Sequence, residues 1–295
     1  MSQNPYLSFA SSFRQLVEKG VDLPLGGIKK PPRSKLAENA PVVLVFSPHP
    51  DDECIIGGLP LRLMREAGTR VVNVAVTLGS NKKRQQPRLA ELRNACDYLG
   101  FDLQETSPNG LERITPLARK NEPEHWTTAV ESIKAIFSEW SPKAIFFPHI
   151  LDWNGTHVGV HHLVMDALAA LPSHSLPLLV ETEYWGQMHS PNLMAESSEA
   201  DLADLLAALS HHVGEVRRNP FHLRMPAWMQ DNVRLGAEVV GGQGGEAPSF
   251  DFATLYRVGW FLDGIFEPAW SGGKMLAKDA PPRLTLRLSR GVLNL

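Results

Sequence analysis

Five consecutive residues, His49-Pro50-Asp51-Asp52-Glu53, hold one imidazole and three carboxyl groups. His49 and Asp52 can face one way and bind a metal ion, while Asp51 between them keeps a carboxylate free beside it. A divalent metal with a neighbouring base is the minimal set of groups for activating water. Far downstream, Asn154-Gly155-Thr156-His157 and the following His161 and His162 form a second cluster. His157 and His161 are four residues apart and share a helix face, whereas His162 points elsewhere. Spacing alone leaves both as candidates for a third ligand. Three protein ligands would make a catalytic arrangement with an open position, because a closed structural site needs a fourth.

Both clusters sit where strands end. Val42-Val43-Leu44-Val45-Phe46 has the length and β-branched content of a buried strand, and Cys54 to Ala67 reads as the helix after it, ended by Gly68. Ala144-Ile145-Phe146-Phe147 is another strand, and a helix is expected from His157 to Leu171. The carboxyl ends of strands are where open α/β sheets bind ligands. Between and around them the pattern alternates. A strand over 71–76 precedes a helix with Leu89, Leu92, Cys96 and Leu99 on one face, stopped by Gly100. A short strand near Leu103, a helix marked by Trp126, Val130, Ile133 and Phe137, and a strand over 178–183 complete the series. This predicts an α/β fold with a Rossmann-like, mostly parallel sheet, helices on both faces and a C-terminal elaboration. No Gly-x-Gly-x-x-Gly follows the first strand, which argues against a dinucleotide site.

The strand, the His-Pro-Asp-Asp-Glu turn and the Gly-containing helix after it resemble the PIG-L/LmbE-like zinc de-N-acetylases, which remove the acetyl group from N-acetylated amino sugars and their conjugates. The resemblance covers residues 40 to 185. It implies His49, Asp52 and His157 as metal ligands, since Leu163-Val164 begins six residues past His157, as a similar pair does past the last His of the family's second motif. It implies Asp51 as the general base and zinc as the metal, although two His and one Asp also suit Fe2+, Co2+ or Ni2+. The chain departs from the family where a motif His, thought to stabilise the oxyanion, is replaced by Asn154, and a motif Asp by Thr156. Asn154 can still donate a hydrogen bond to an oxyanion, and His161, His189 and His149 are the other candidates for that role. Arg88-x-x-Glu91-Leu92 is similar to the family's Arg-x-x-Glu-Leu stretch, which makes Arg88 a candidate substrate contact; an i,i+3 pair with Glu91 is the plainer reading. Asn109, in a predicted turn, and His189, after a strand end, are further candidate substrate contacts. The implied reaction is metal-dependent removal of an acetyl group. A metallohydrolase of another amide or ester and a non-catalytic Rossmann-like binding protein are the alternatives.

The rest of the chain sets bounds. Its 295 residues suit an arm over 1–40 and one domain over 41–295, with a core over 41–185 and the elaboration over 186–295. The arm carries one predicted helix, Ser8 to Lys19, with Phe9, Phe13, Leu16 and Val17 on one face, expected to pack over the outside of the domain. A helix over Leu202 to Val213, one over Pro226 to Val240 and a strand over Phe252 to Leu262 are expected in the elaboration. His211-His212 reads as surface. A net charge of −3 without a long basic run argues against nucleic acid. Cys54 and Cys96 fall at apolar helix positions and read as buried free thiols, which fits a reducing compartment, the cytoplasm. No stretch approaches the roughly 18 apolar residues of a membrane span. The expected partner is a small amino-sugar substrate, and apolar surface on the Pro-rich tail leaves room for a homo-oligomer.

Overall fold

The computed structural model describes residues 4–33, 35–172, 176–184, 186–262 and 264–286. Residues 287–295 of the predicted elaboration lie outside the described residues. A first helix, α1 (Tyr6–Gly20), precedes the strand β1 (Val42–Ser47). The chain continues through α2 (Asp52–Ile55), α3 (Gly58–Ala67), β2 (Arg70–Ala75), α4 (Lys82–Leu99) and β3 (Asp102–Glu105). Then come α5 (Pro116–Asn121), α6 (Pro123–Trp140), β4 (Ala144–Pro148), α7 (Gly155–Ala169) and β5 (Leu178–Thr182). The C-terminal part adds β6 (Leu193–Ser197), α8 (Glu199–Leu209), α9 (Val213–Arg218), α10 (Met225–Val239), β7 (Phe252–Leu262), β8 (Ile265–Pro268), β9 (Lys274–Leu276) and α11 (Pro282–Leu286).

Among the described residues one nine-stranded sheet runs in the order β3-β2-β1-β4-β5-β7-β6-β9, with β8 paired to β7. The strands from β3 to β5 are all parallel, as the near-continuous apolar runs predict. β1 pairs with β2 on one side and with β4 on the other, so the strand order reverses beside β1. Crevices at such a switch point are where open α/β sheets take ligands. The register Val43↔Ala144 to Val45↔Phe146 also brings the turn after β1 next to the turn after β4.

Side chains alternate across the sheet with a period of two. Val43 and Val45 join a core with Leu59, Leu63, Leu92 and Leu205 on one face. Leu44 and Phe46 join Ile133, Phe137 and Leu163 on the other. Helices therefore cover both faces, and the C-terminal strands extend the same sheet with antiparallel pairs β5–β7 and β7–β6. α4 ends at Gly100, whose φ of 85° is the left-handed geometry that closes a helix.

Three local expectations are corrected. The predicted helix from Cys54 to Ala67 is two helices broken at Ile56-Gly57. The Tyr256 hydroxyl enters the break, donating to Ile56 O at 3.0 Å and accepting from Leu59 N–H at 3.2 Å. Leu205 packs so closely on Gly57 that a Cβ there would sit 2.6 Å from it. The predicted helix from Leu202 to Val213 also divides, and His212 in the gap is fully buried instead of surface. Finally, α1 does not bury its apolar stripe: Phe9 and Leu16 are 71% and 68% exposed, and the helix is anchored by Gly20 against Leu223.

Candidate metal centre and the groups around it

The turn after β1 is stitched to β2. Val76 N–H donates to Ser47 O, and both the amide and the hydroxyl of Thr77 donate to Pro48 O. This turn presents His49 and then swings through Asp51, whose φ of 112° is left-handed and strained for a residue with a Cβ. Strain of this kind persists where surrounding bonds over-determine it. Here Asp51 N–H donates to Glu53 Oε2 at 2.9 Å, and Arg88 donates to Pro50 O at 2.8 Å. The reversal lets Asp52 Oδ2 accept from His49 N–H at 2.8 Å and face the His49 ring.

From the neighbouring strand, His157 completes a triangle. His157 Nε2 lies 3.3 Å from His49 Nδ1 and 3.5 Å from Asp52 Oδ2, and His49 Nδ1 lies 3.6 Å from the same oxygen. Ligands held about 2.0–2.1 Å from a tetrahedral cation stand about 3.3 Å apart, so this spacing fits a divalent metal without rearrangement. Two further observations agree. Asp52 is completely buried, yet its Oδ1 has no hydrogen-bond partner among the described residues; a buried, unpaired carboxylate oxygen is costly unless something satisfies it. His157 Nδ1 donates to Asp152 Oδ2 at 3.0 Å, which fixes the tautomer and turns the Nε2 lone pair toward His49 and Asp52. His161, the other candidate for third ligand, is not in this group.

Electrostatics follow burial and pairing. Burial works to raise the Asp52 carboxyl, but His157 and His49 beside it hold it below the usual range. Burial opposes a proton on His157, yet Asp52 and Asp152 raise its pKa. Asp51 stands outside the triangle, and burial followed by the adjacent Asp52 charge pushes it well above the usual range; Arg88, 3.6 Å away, partly counters this. A carboxyl poised in this way both takes up and gives back a proton.

Other predicted site residues fall as follows. Asn154 is the N-cap of α7, its Oδ1 accepting from Thr156 N–H at 2.9 Å, so the cap uses the amide oxygen and leaves the nitrogen as the donor end. His161 is buried, donates Nδ1–H to Pro148 O at 2.9 Å, and burial lowers its pKa to about 4. Arg88 pairs with the turn at Asp51 and Pro50 instead of with Glu91, which binds Arg84 and Gly214 N–H. Asn109 is exposed in the turn from Ser107 to Gly110 and accepts from Gln86. His189 is exposed, and His149 donates Nε2–H to Gly186 O at 2.9 Å. Cys54 and Cys96 are buried and unpaired with each other.

Sequence reasoning missed three residues at this site. Asp152 orients His157, and its position between a strand end and an N-cap was the available signal. The Tyr184 ring packs edge-on against His157 with centroids 4.9 Å apart. His212, from the C-terminal part, lies with Nε2 2.7 Å from Glu53 Oε1, and both are fully buried. Nothing in the local sequence links two residues 159 positions apart.

Comparison with known proteins places this geometry in context. The family model for PIG-L, GlcNAc-PI de-N-acetylase, matches residues 44–168. No curated protein sequence matches the chain. Among solved structures, N,N'-diacetylchitobiose deacetylase from Pyrococcus horikoshii is similar at 16% identity and a TM-score of 0.51, covering 90% of this chain and 95% of that one. The 4-carboxy-2-hydroxymuconate hydratase GalB from Pseudomonas putida is similar at 14% identity and a TM-score of 0.56, covering 79% and 100%. A zinc-inhibited form of teicoplanin deacetylase is similar at 15% identity and a TM-score of 0.51, covering 75% and 99%. At these identities the likeness is one of fold, shared by proteins whose names describe different reactions. The segment similar to the PIG-L family, residues 44–168, contains every residue of the triangle together with Asp51.

Proposed function

We propose that this protein is a metal-dependent hydrolase that removes the acetyl group from an N-acetylated amino sugar or a conjugate of one. The observation that carries the reading is the His49–Asp52–His157 triangle with a buried, proton-accepting Asp51 beside it. His49, Asp52 and His157 would hold the cation. When bound, it would supply Lewis acidity toward the acetamide oxygen and toward water. Asp51 takes the proton from the attacking water and gives it to the departing amine, so that one carboxyl serves both halves of the reaction. Asp152 holds His157 in the tautomer that keeps Nε2 free. Arg88 steadies the Pro50–Asp51 turn, with the substrate's polar groups as its further contact.

The Asn154 amide nitrogen is the neutral donor for the developing oxyanion. His161 does not compete for that role as a cation, because with a pKa of about 4 it carries no positive charge at neutral pH. Asn109 and His189, both exposed, are read as outer substrate contacts. Zinc is the proposed metal, with iron, cobalt and nickel tested beside it because a homologous fold has been described in a zinc-inhibited form. We read residues 41–295 as one catalytic domain and 1–40 as an arm, supported by the continuity of the sheet into β6, β7 and β9. No helix among the described residues is long and apolar enough to cross a membrane.

The test is acetate release from a panel of N-acetylglucosamine conjugates by metal-loaded wild type and Asp51→Asn, with bound metal measured in both and in His157→Ala. Release by the wild type, lost in Asp51→Asn at unchanged metal content, is the expected result. Full metal occupancy in His157→Ala would remove it from the ligand set. Metal bound with no acetate released from any member would redirect the reading to another amide or ester.

A further inference from the structure

The start of α9 reaches back from the C-terminal part to the first turn and to α4. His212 meets Glu53, and Gly214 N–H donates to Glu91 Oε1 at 3.0 Å. The Arg84 guanidinium lies so close to Gly214 that a Cβ there would stand 1.8 Å from Nη2. These contacts fix α9 on α4 and carry Glu215 to Arg88. Glu215 Oε1 lies 3.8 Å from Arg88 Nε and 3.7 Å from Arg84 Nη2, while Arg218 donates to Oε2. Burial works to raise the Glu215 carboxyl, but Arg218, Arg88 and Arg84 hold it below the usual range, so it is charged at neutral pH.

Arg88 stands between two carboxylates and hydrogen-bonds to neither. In arginine, Nε and one Nη form an edge that takes both oxygens of a single carboxylate, at about 2.7–2.9 Å. Here that edge is divided. Nη2 donates to Pro50 O at 2.8 Å and lies 3.6 Å from Asp51 Oδ2. Nε, turned to Glu215, is buried without a hydrogen-bond partner among the described residues. Coulomb attraction falls with distance, and 3.6 and 3.8 Å are nearly equal, so neither carboxylate draws the whole edge to itself. Gly79 leaves the room that Nη1 occupies, since a Cβ there would sit 2.6 Å from it.

We propose that Glu215 is a positioning residue for the reaction: its carboxylate holds the Nε end of Arg88 and so keeps the guanidinium from closing on Asp51. A bidentate pair with arginine would occupy both oxygens of Asp51 and leave neither for water. The inference rests on the hydrolase reading above and adds a residue to it. Pro50, Asp51, Gly79 and Arg88 all lie within residues 44–168, whereas Glu215 lies past the segment similar to the PIG-L family, so the freedom of Asp51 depends on this chain's C-terminal part.

The experiment measures acetate release from an N-acetylglucosamine conjugate, with bound metal and melting temperature, for metal-loaded wild type, Glu215→Gln and Glu215→Asp, and for Glu215→Gln in an Arg88→Met background. Gln keeps the shape of Glu without its charge, and Asp keeps the charge without the shape. Glu215→Gln lowers kcat about 10- to 100-fold at unchanged metal content and leaves KM within about two-fold, as expected when a reacting group is misplaced and binding is not. Glu215→Asp loses less. With Arg88→Met already in place, Glu215→Gln makes no further difference, because no guanidinium is left to restrain. A loss of the same size in both backgrounds, a loss confined to KM, a larger loss in Glu215→Asp than in Glu215→Gln, or wild-type kcat in Glu215→Gln overturns the proposal. Crystals of metal-loaded wild type and Glu215→Gln separate the two claims. Arg88 Nη2 closes on Asp51 Oδ2 from 3.6 Å to about 2.9 Å in the variant. Closure without acetate release by the wild type sustains the positioning of Arg88 and overturns the hydrolase reading. Release by the wild type with Arg88 unmoved in the variant overturns the positioning alone, and neither release nor closure overturns both.

Discussion

His212 is expected to matter to Asp51, which it reaches only through Glu53. Its Nε2–H meets Glu53 Oε1 at 2.7 Å, and the other Glu53 oxygen accepts from the Asp51 amide at 2.9 Å. Asp51 occupies a left-handed conformation that costs about 1–3 kcal/mol in a residue with a Cβ, so the bonds that hold it are close to the strain in size. His212→Phe keeps the ring and removes the donor. Among the described residues Glu53 Oε1 then retains only the Cys54 thiol, a weak donor at 3.1 Å. Leaving a fully buried acceptor short of a hydrogen bond costs about 1–3 kcal/mol. The unfolding free energy from urea titration should therefore fall by that amount, seen as a lower midpoint at an unchanged m-value. If Glu53 turns away, the Asp51 amide loses its anchor and the proposed base shifts. A displacement of about 1 Å at a reacting group costs on the order of 100-fold, so kcat should drop 10- to 100-fold with metal content intact. Because Phe is somewhat larger than His, the decisive measurement is a double-mutant cycle with Glu53→Gln. A coupling energy of at least ~1 kcal/mol is expected for partners in one hydrogen-bonded chain. Coupling near zero, or a His212→Phe protein with wild-type stability and kcat, would refute the reasoning.

Other consequences can be checked directly. Asp152→Ala frees the His157 ring from its tautomer and should weaken metal affinity about 10- to 100-fold, measured by competition with a chelating dye; unchanged affinity would count against Asp152 as the orienting group. Asp51→Asn should lower kcat about 10²- to 10⁴-fold, while its melting temperature holds or rises, because burial disfavours the ionised carboxyl in the folded state; a marked loss of stability would show that the charge is needed for folding. Glu183 carries a pH signature. Its folded-state pKa of about 7 exceeds the ordinary 4.5, so the unfolded chain gives up this proton first. The stabilisation is complete below about pH 4.5 and is lost as pH rises toward about 7, a change of about 3 kcal/mol from this group. Glu183→Gln should remove that part of the slope between pH 5 and 8 in urea titrations, and identical slopes in wild type and variant would contradict the assignment.

Much of the candidate site was legible in the sequence because it is local. His49, Asp51 and Asp52 lie within four residues after an apolar run whose length and β-branched content mark a strand that delivers them to a sheet end. Their types suit metal binding beside a base whatever the rest of the chain does. The parallel α/β character was legible for the same reason, since continuous apolar strands alternating with amphipathic helices admit few other packings. The choice of His157 over His161 came from resemblance; spacing put both on one helix face. Tertiary structure separates them, because β4 pairs with β1 and the start of α7 then meets the first turn, while His161, one turn further on, reaches the carbonyl of Pro148. Contacts between distant segments left no local trace. Tyr256 splits the first helix from 200 residues away, His212 reaches Glu53 across 159, and the C-terminal helices wall a pocket against Ile55. Residue type and period are properties of a short stretch, so the sequence determined the candidate groups and the class of fold. Which distant side chains share a buried space depends on strand order and register, and only the folded chain decides that.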